Sequence, residues 1–129
     1  MIALDTSAIV AIALGEAEAE GFTRQIAVRE ALVGTPSLLE SRMALTSRMH
    51  DPAGFLDKFL EPAEIHIVEF TFAMYQVATA AFDRFGKGRG HRAKLNFGDC
   101  LAYAVAKQCD LPLLYKGDDF SHTDIRRAA

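Results

Sequence analysis

The sequence predicts an α/β fold, a three-layer α/β/α sandwich around a central parallel sheet of four or five strands. Two observations carry this reading. Short apolar runs at residues 2–4, 31–34, 65–68 and 111–115 alternate with stretches of helical spacing that begin at capping residues. Strands joined through helices pair in parallel by right-handed crossovers, and a parallel sheet needs cover on both faces. A third observation sets the scale. Half of the 129 residues are hydrophobic and 24% are charged, the balance of one globular domain over residues 1–129.

The elements follow in order. Residues 2–4 form a first strand. Thr6 or Ser7 then caps a helix that is apolar almost all round and runs to about Leu14, where Gly15 breaks it. Residues 16–28 form a second helix with acids in its first turn. After the strand at 31–34, Thr35-Pro36 reads as a cap followed by proline at the first helical position, opening a helix to about Met49. Asp51-Pro52 repeats the signal for a helix to about Leu60. After the strand at 65–68, Thr71 caps a long helix that Gly86 ends beyond Phe85. "KGRGHRAKL" is a basic, glycine-rich loop. Asn96 caps a helix over 97–109, in which Phe97, Leu101, Ala104, Val105 and Gln108 keep helical spacing. The strand at 111–115 precedes "KGDDFSHTD", a turn with room for one helical turn, and the last residues offer an edge strand.

Composition narrows the function. No apolar run is long enough to span a bilayer. The start of the chain lacks a signal peptide's basic segment and cleavage site, so a cytoplasmic location is expected. Cys100 and Cys109 on one helix lie roughly 13 Å apart, too far for a disulfide. With no CxxC and no paired Cys/His spacing, a zinc site is not expected. The net charge of −3 excludes a uniformly basic surface but leaves room for a local basic patch on a nucleic-acid binder.

The chemistry lies in the acids. Asp5 ends the first strand, and ligands of open parallel sheets bind beyond the carboxyl ends of strands. Glu40 lies just past the first turn of the helix after strand two. Asp99 lies in the first turn of its helix, and Asp118 and Asp119 follow strand four. Each has a plainer reading. Asp5 can cap the first helix, Asp99 can complete a capping box with Asn96, Glu40 can face solvent, and Asp118 and Asp119 can be turn residues. Together they form a set at one sheet edge. Close carboxylates repel by on the order of 4 kcal/mol per pair at an effective dielectric near 20. Such a cluster protonates or holds a cation, and all-oxygen ligands suit Mg²⁺ or Mn²⁺. The reaction this implies is phosphodiester hydrolysis by metal-activated water.

"LDTSAIVAI", "LLE", "KGRGHRAKLNFGDCLAYAVAK" and "LPLLYKGDDFSHTDI" occur in the order found in the PIN-domain ribonucleases. Over nearly its whole length the chain resembles the VapC-type toxins of toxin–antitoxin pairs. The resemblance implies a PIN-like fold and makes Asp5, Glu40 and Asp99 metal-site acids. Gly117 stands where many relatives carry an acid. Asp119, directly before Phe120, therefore ranks first as the fourth acid and Asp118 second. Lys116 replaces a small polar residue and has three readings: neutralising a carboxylate, holding a phosphate, or facing solvent. Thr6 and Ser7 combine capping with a role at the metal or phosphate, and Asn96 combines capping with orienting an acid. The functional reading of Lys87, Arg89, Arg92 and Lys94 is contact with RNA phosphates, and the plainer one is a solvated surface. His50, His66, His91 and His122 read as packing or surface residues.

The expected function is thus a Mg²⁺-dependent endoribonuclease, the toxin of a type II pair. The resemblance implies 5′-phosphate products, a VapB-type antitoxin and a homodimer. The helices at 8–14 and 71–85 are candidates for those protein contacts, against the plainer reading that they fill the core. Two other classes stand beside it. A haloacid-dehalogenase-like phosphatase needs a second Asp two positions after Asp5, where Ser7 sits. A catalytically silent RNA- or protein-binding PIN module would keep the fold without tight metal binding.

Overall fold

The computed structural model describes residues 1–128. Its strands are β1 (Ile2–Leu4), β2 (Ala31–Gly34), β3 (Ile65–Val68) and β4 (Leu113–Leu114). Its helices are α1 (Thr6–Ala13), α2 (Ala19–Arg29), α3 (Thr35–Leu45), α4 (Pro52–Phe59), α5 (Phe72–Phe85) and α6 (Phe97–Gln108). All strand pairs are parallel, in the order β3-β2-β1-β4. The sheet grows outward from β1 through β2 to β3, then β4 returns to the other side of β1. That reversal between β1 and β4 is where an open parallel sheet leaves a crevice at its carboxyl edge.

Side chains alternate across the pleat and divide the core in two. Ile2, Leu4, Ala31, Val33 and Leu114 pack with Ala8, Ile9 and Ala11 of α1, Phe22 and Ile26 of α2 and Leu56 of α4. Ala3 and Leu113 face the other way, onto Met74, Ala78, Ala81 and Phe85 of α5 and Ala102–Ala106 of α6. Helix α3 touches both α1 and α6, so Glu40 is carried to the strand ends. Gly34 gives α6 its close approach, since a Cβ there would stand 2.8 Å from Val105 Cγ2.

Several boundaries differ from expectation for local reasons. The cap of α1 is Asp5, whose carboxylate accepts from the Ser7 N–H, rather than Thr6 or Ser7. Helix α2 starts at Ala19 because Gly15 adopts φ +61° and turns the Glu16 N–H back onto the Ala11 carbonyl at 2.9 Å. The cap of α3 is Gly34, and Thr35 is already helical. That helix stops at Leu45, where the Thr46 hydroxyl bonds back to the Arg42 carbonyl and the chain turns. Strand β4 is only Leu113–Leu114, "KGDDFSHTD" is turns without a helix, and the terminus adds one parallel bridge, Arg127 to Leu113. Helix α1 belongs to the core through Ala8–Ala11, whereas α5 exposes Phe72, Tyr75 and Phe82. Cys100 and Cys109 are free thiols. Among the described residues no helix is long and apolar enough to cross a membrane.

Candidate active site

Asp5 leaves the sheet at the end of β1 and is 6% exposed. Its Oδ2 accepts from the Ser7 N–H at 3.0 Å and from Ser7 Oγ at 2.6 Å. Ser7 Oγ also accepts the Lys116 backbone N–H at 2.9 Å, which ties the end of β1 to the segment after β4. Burial pushes the Asp5 carboxyl up to about 6. The two Ser7 bonds oppose this, and the charges of Glu40 and Asp119 add to it.

Asp99 sits in the first turn of α6 as half of a capping box. Its N–H donates to Asn96 Oδ1 at 2.8 Å, and its Oδ2 accepts the Asn96 N–H at 3.1 Å. The plainer reading of Asp99 therefore holds, and it does not exclude the other. The carboxylate is nearly buried, and burial pushes it up to about 7. The Asn96 bond pulls against that, while Asp119 and Asp5 reinforce it by their charge. Glu40 is half-buried on α3, and its Oε1 accepts from Thr6 Oγ1 at 2.5 Å. Its carboxylate lies over Gly98, in the first turn of α6.

The charges of Glu40 and Asp119 thus reach Asp5, and those of Asp119 and Asp5 reach Asp99. Asp119 is exposed, and its charge helps raise both buried acids; Asp118 is exposed beside it, and its carbonyl accepts the Ser121 N–H in the turn. No lysine or arginine forms an ion pair with these four acids among the described residues. Lys116 points away from them, its Nζ 3.3 Å from Glu16 and 3.4 Å from Glu18. The side-chain oxygens of Thr6, Ser7 and Asn96 face inward, holding Glu40, Asp5 and the turn of Asp99. In the basic loop Arg89 leans on Asp83 at 3.9 Å and over the Phe82 ring. Lys87, Arg92 and Lys94 are exposed and make no ion pair among the described residues. His91 packs edge-on against Phe85.

Sequence reasoning missed Glu16 and Glu18 as partners of Lys116, the seat at Gly98, and Phe97. Phe97 is 79% exposed and parts two apolar clefts. One of about 910 Å³ is lined by Pro36, Leu39, Glu40, Met43 and Leu101. The other, about 490 Å³, is lined by Tyr75, Phe82, Lys87 and Asn96. Of the four acids, Glu40 borders the larger cleft. Helical spacing groups Phe97 with Leu101, Ala104 and Val105, and the spacing alone does not show that Phe97 stands exposed.

In chemistry the donors suit a hard divalent ion: four carboxylates, two of them buried and raised, with no lysine or arginine ion-paired to them among the described residues. Among the described residues, no group of three His, Cys, Asp or Glu side chains is placed to hold a metal ion. Mg²⁺ does not require that, since it keeps several waters and uses one or two carboxylates directly.

The PIN domain profile matches residues 2–126. The chain belongs to the PIN-domain family. Within it, the chain stands with VapC proteins. It is 42% identical over 128 residues to "Ribonuclease VapC30" of Mycobacterium tuberculosis, covering 98% of this chain and 97% of the relative. It is also 42% identical to "Ribonuclease VapC" of Mycolicibacterium smegmatis over 126 residues, 95% of each chain. In fold it is similar to the crystal structure of M. tuberculosis VapC20, a sarcin–ricin loop cleaving toxin. The TM-score is 0.78 at 18% identity, over 97% of this PIN domain and 96% of that chain. A toxin–antitoxin complex from Klebsiella pneumoniae shares the fold at TM-score 0.72 and 14% identity, over 96% and 93%. Family membership removes the haloacid-dehalogenase alternative.

Proposed function

We propose that this PIN domain is a Mg²⁺-dependent endoribonuclease, the toxin of a type II toxin–antitoxin pair. The observation that carries the reading is the cluster of uncompensated carboxylates at the β1/β4 crevice. Relatives of the same length named as VapC ribonucleases support it. Asp5, Asp99, Asp119 and Glu40 would hold Mg²⁺, or Mn²⁺. When bound, the ion supplies Lewis acidity toward water and toward the phosphate oxygens.

The remaining work falls to the chain. Ser7 and Asn96 fix the rotamers of the two buried acids, and Thr6 fixes Glu40, so the carboxylates do not reorganise during reaction. Lys87, Arg92 and Lys94 present unpaired charge to the RNA backbone and set its register. A carboxylate of the cluster takes the proton of the attacking water. The new P–O bond forms in line with departure of the 3′ oxygen, which leaves protonated, and the product carries a 5′ phosphate. A VapB-type antitoxin fits the apolar clefts beside Phe97, where it would cover the acids. The exposed face of α5 is available to a homodimer, and the chain works in the cytoplasm.

Purified protein incubated with total RNA should cut it with Mg²⁺ or Mn²⁺ and stop with EDTA. Asp99→Asn should be inactive in the same preparation. Cutting that persists in EDTA, or an active Asp99→Asn, sinks the proposal. Co-expression with the neighbouring open reading frame should relieve growth arrest, and mapped RNA ends would identify the target.

A further inference from the structure

Gly98 occupies the second position of a 12-residue helix, where glycine is less favourable than alanine. Its backbone does not need glycine, because its φ is not in the left-handed region. What excludes a side chain is Glu40. A Cβ on Gly98 would stand 2.8 Å from Glu40 Cδ and 2.9 Å from Oε1, with Oε2 closer still. The Glu40 carboxylate therefore fills the space of the missing methyl group. It sits against the first turn of α6, whose leading N–H groups have no helical partners and favour negative charge.

We infer that Gly98 is a positioning residue: its missing side chain is the seat that holds the Glu40 carboxylate beside Asp99, clamped from the other side by the Thr6 hydroxyl. The contact that an alanine would displace is the end of a flexible side chain. Substitution should therefore leave the fold intact and move Glu40. In Gly98→Ala the carboxylate is pushed from the turn, loses the Thr6 bond and leaves the group of acids. This rests on the reading of Glu40 as a metal-site acid, and the test separates the two.

Four proteins decide it: the unmodified chain, Gly98→Ala, Glu40→Ala and the double variant. Each is titrated with Mn²⁺ by calorimetry and melted without metal. Gly98→Ala should weaken Mn²⁺ binding about tenfold, and Glu40→Ala should weaken it at least as much. With Glu40 already gone, Gly98→Ala should leave Mn²⁺ affinity unchanged and raise the melting temperature, because alanine then gains its helical preference without a clash. With Glu40 present the same substitution should gain less or lose stability. Wild-type Mn²⁺ affinity in Glu40→Ala would overturn the reading of Glu40 as a metal ligand. The melting cycle would then still decide whether Gly98 seats Glu40. Equal effects of Gly98→Ala with and without Glu40, in both measurements, would overturn the seat itself.

Discussion

Helix α6 meets acids at both ends and treats them in opposite ways. Beyond its last turns lies Asp124, which accepts from Tyr103 Oη at 2.5 Å and Lys107 Nζ at 2.9 Å, with Arg84 at 3.8 Å. Burial pushes the Asp124 carboxyl up, but the Tyr103 and Lys107 bonds outweigh it and hold the group below its ordinary range. In the first turn is Asp99, whose carboxylate accepts the Asn96 N–H, faced by other acids and pushed up to about 7. Asp5, held by the Ser7 N–H and hydroxyl, is likewise faced by acids and pushed up to about 6. An acid that anchors a segment is given cations. Asp5 and Asp99 are given orientation without neutralisation, at a cost to the fold, which is what the proposed metal site requires.

The largest effects should come from exchanging these two kinds of acid for their amides. Asp5→Asn and Asp99→Asn should each lower ribonuclease turnover by roughly 10²-fold or more, since they remove charge aimed at the reacting centre. The metal-free melting temperature should hold or rise, because a repulsive buried charge is gone. Asp124→Asn should do the reverse. It should keep turnover within about twofold and destabilise by about 1 kcal/mol, a few degrees in melting temperature. An Asp124 variant as inactive as the Asp99 variant would break the distinction.

Proton linkage gives the next largest effect. Asp5 and Asp99 have folded values near 6 and 7, above the unfolded value of 3.8. Between those limits the folded state binds more protons than the unfolded one, so stability falls as pH rises through 6 and 7. The metal-free protein should melt several degrees higher at pH 5 than at pH 8, on the order of 5 °C. Saturating Mg²⁺ should reduce that dependence by stabilising the ionised form. Asp124 has the opposite sign, and its contribution is lost only as pH falls below the ordinary carboxylate range. A metal-free melting curve flat from pH 5 to 8 would contradict the assignment.

A finer division separates two adjacent acids. Asp119→Asn should weaken Mn²⁺ binding about tenfold and shift the pH dependence of melting to lower pH, because the Asp119 charge helps raise Asp99 and Asp5. Asp118→Asn should change both by less than about twofold. Equal effects would mean that the turn presents both carboxylates to the site.

Where signals were local, the sequence was readable. Thr71, Asp51 and Asn96 cap the helices their positions announce, and β1, β2 and β3 match the apolar runs. Asp5 and Asp119 drew notice because they follow β1 and β4, and Glu40 and Asp99 because they lie near the starts of α3 and α6. Contacts between distant segments were not legible. Nothing near Gly98 in the chain says that Glu40 fills its space. Nothing near Lys116 names Glu16 and Glu18, because Gly15 has first to turn the chain there. The resemblance ranked Asp119 above Asp118, and it is the Asp119 charge that reaches Asp5 and Asp99.

Lys116 gives the smallest predicted effect and the sharpest check on how the two kinds of acid are kept apart. It follows β4 and bonds Ser7, the partner of Asp5, through its backbone, so its side chain is a candidate to neutralise Asp5. Glu16 and Glu18 hold it instead, and the Glu16 bond leads the causes that raise its ammonium above the ordinary value. Glu18 Oε1 lies buried beside it without a well-aligned hydrogen bond. Lys116→Met keeps the backbone bond to Ser7 and removes only the charge. Half-exposed ion pairs contribute little, so melting temperature and Mn²⁺ affinity should change little. The informative contrast is Glu16→Gln with Glu18→Gln, which frees the ammonium to swing toward the crevice. That double variant should bind Mn²⁺ more weakly than the unmodified chain, and adding Lys116→Met should restore the affinity. If the freed lysine leaves Mn²⁺ affinity untouched, the acids of the crevice are protected by distance alone and the Glu16–Glu18 pair is only an anchor.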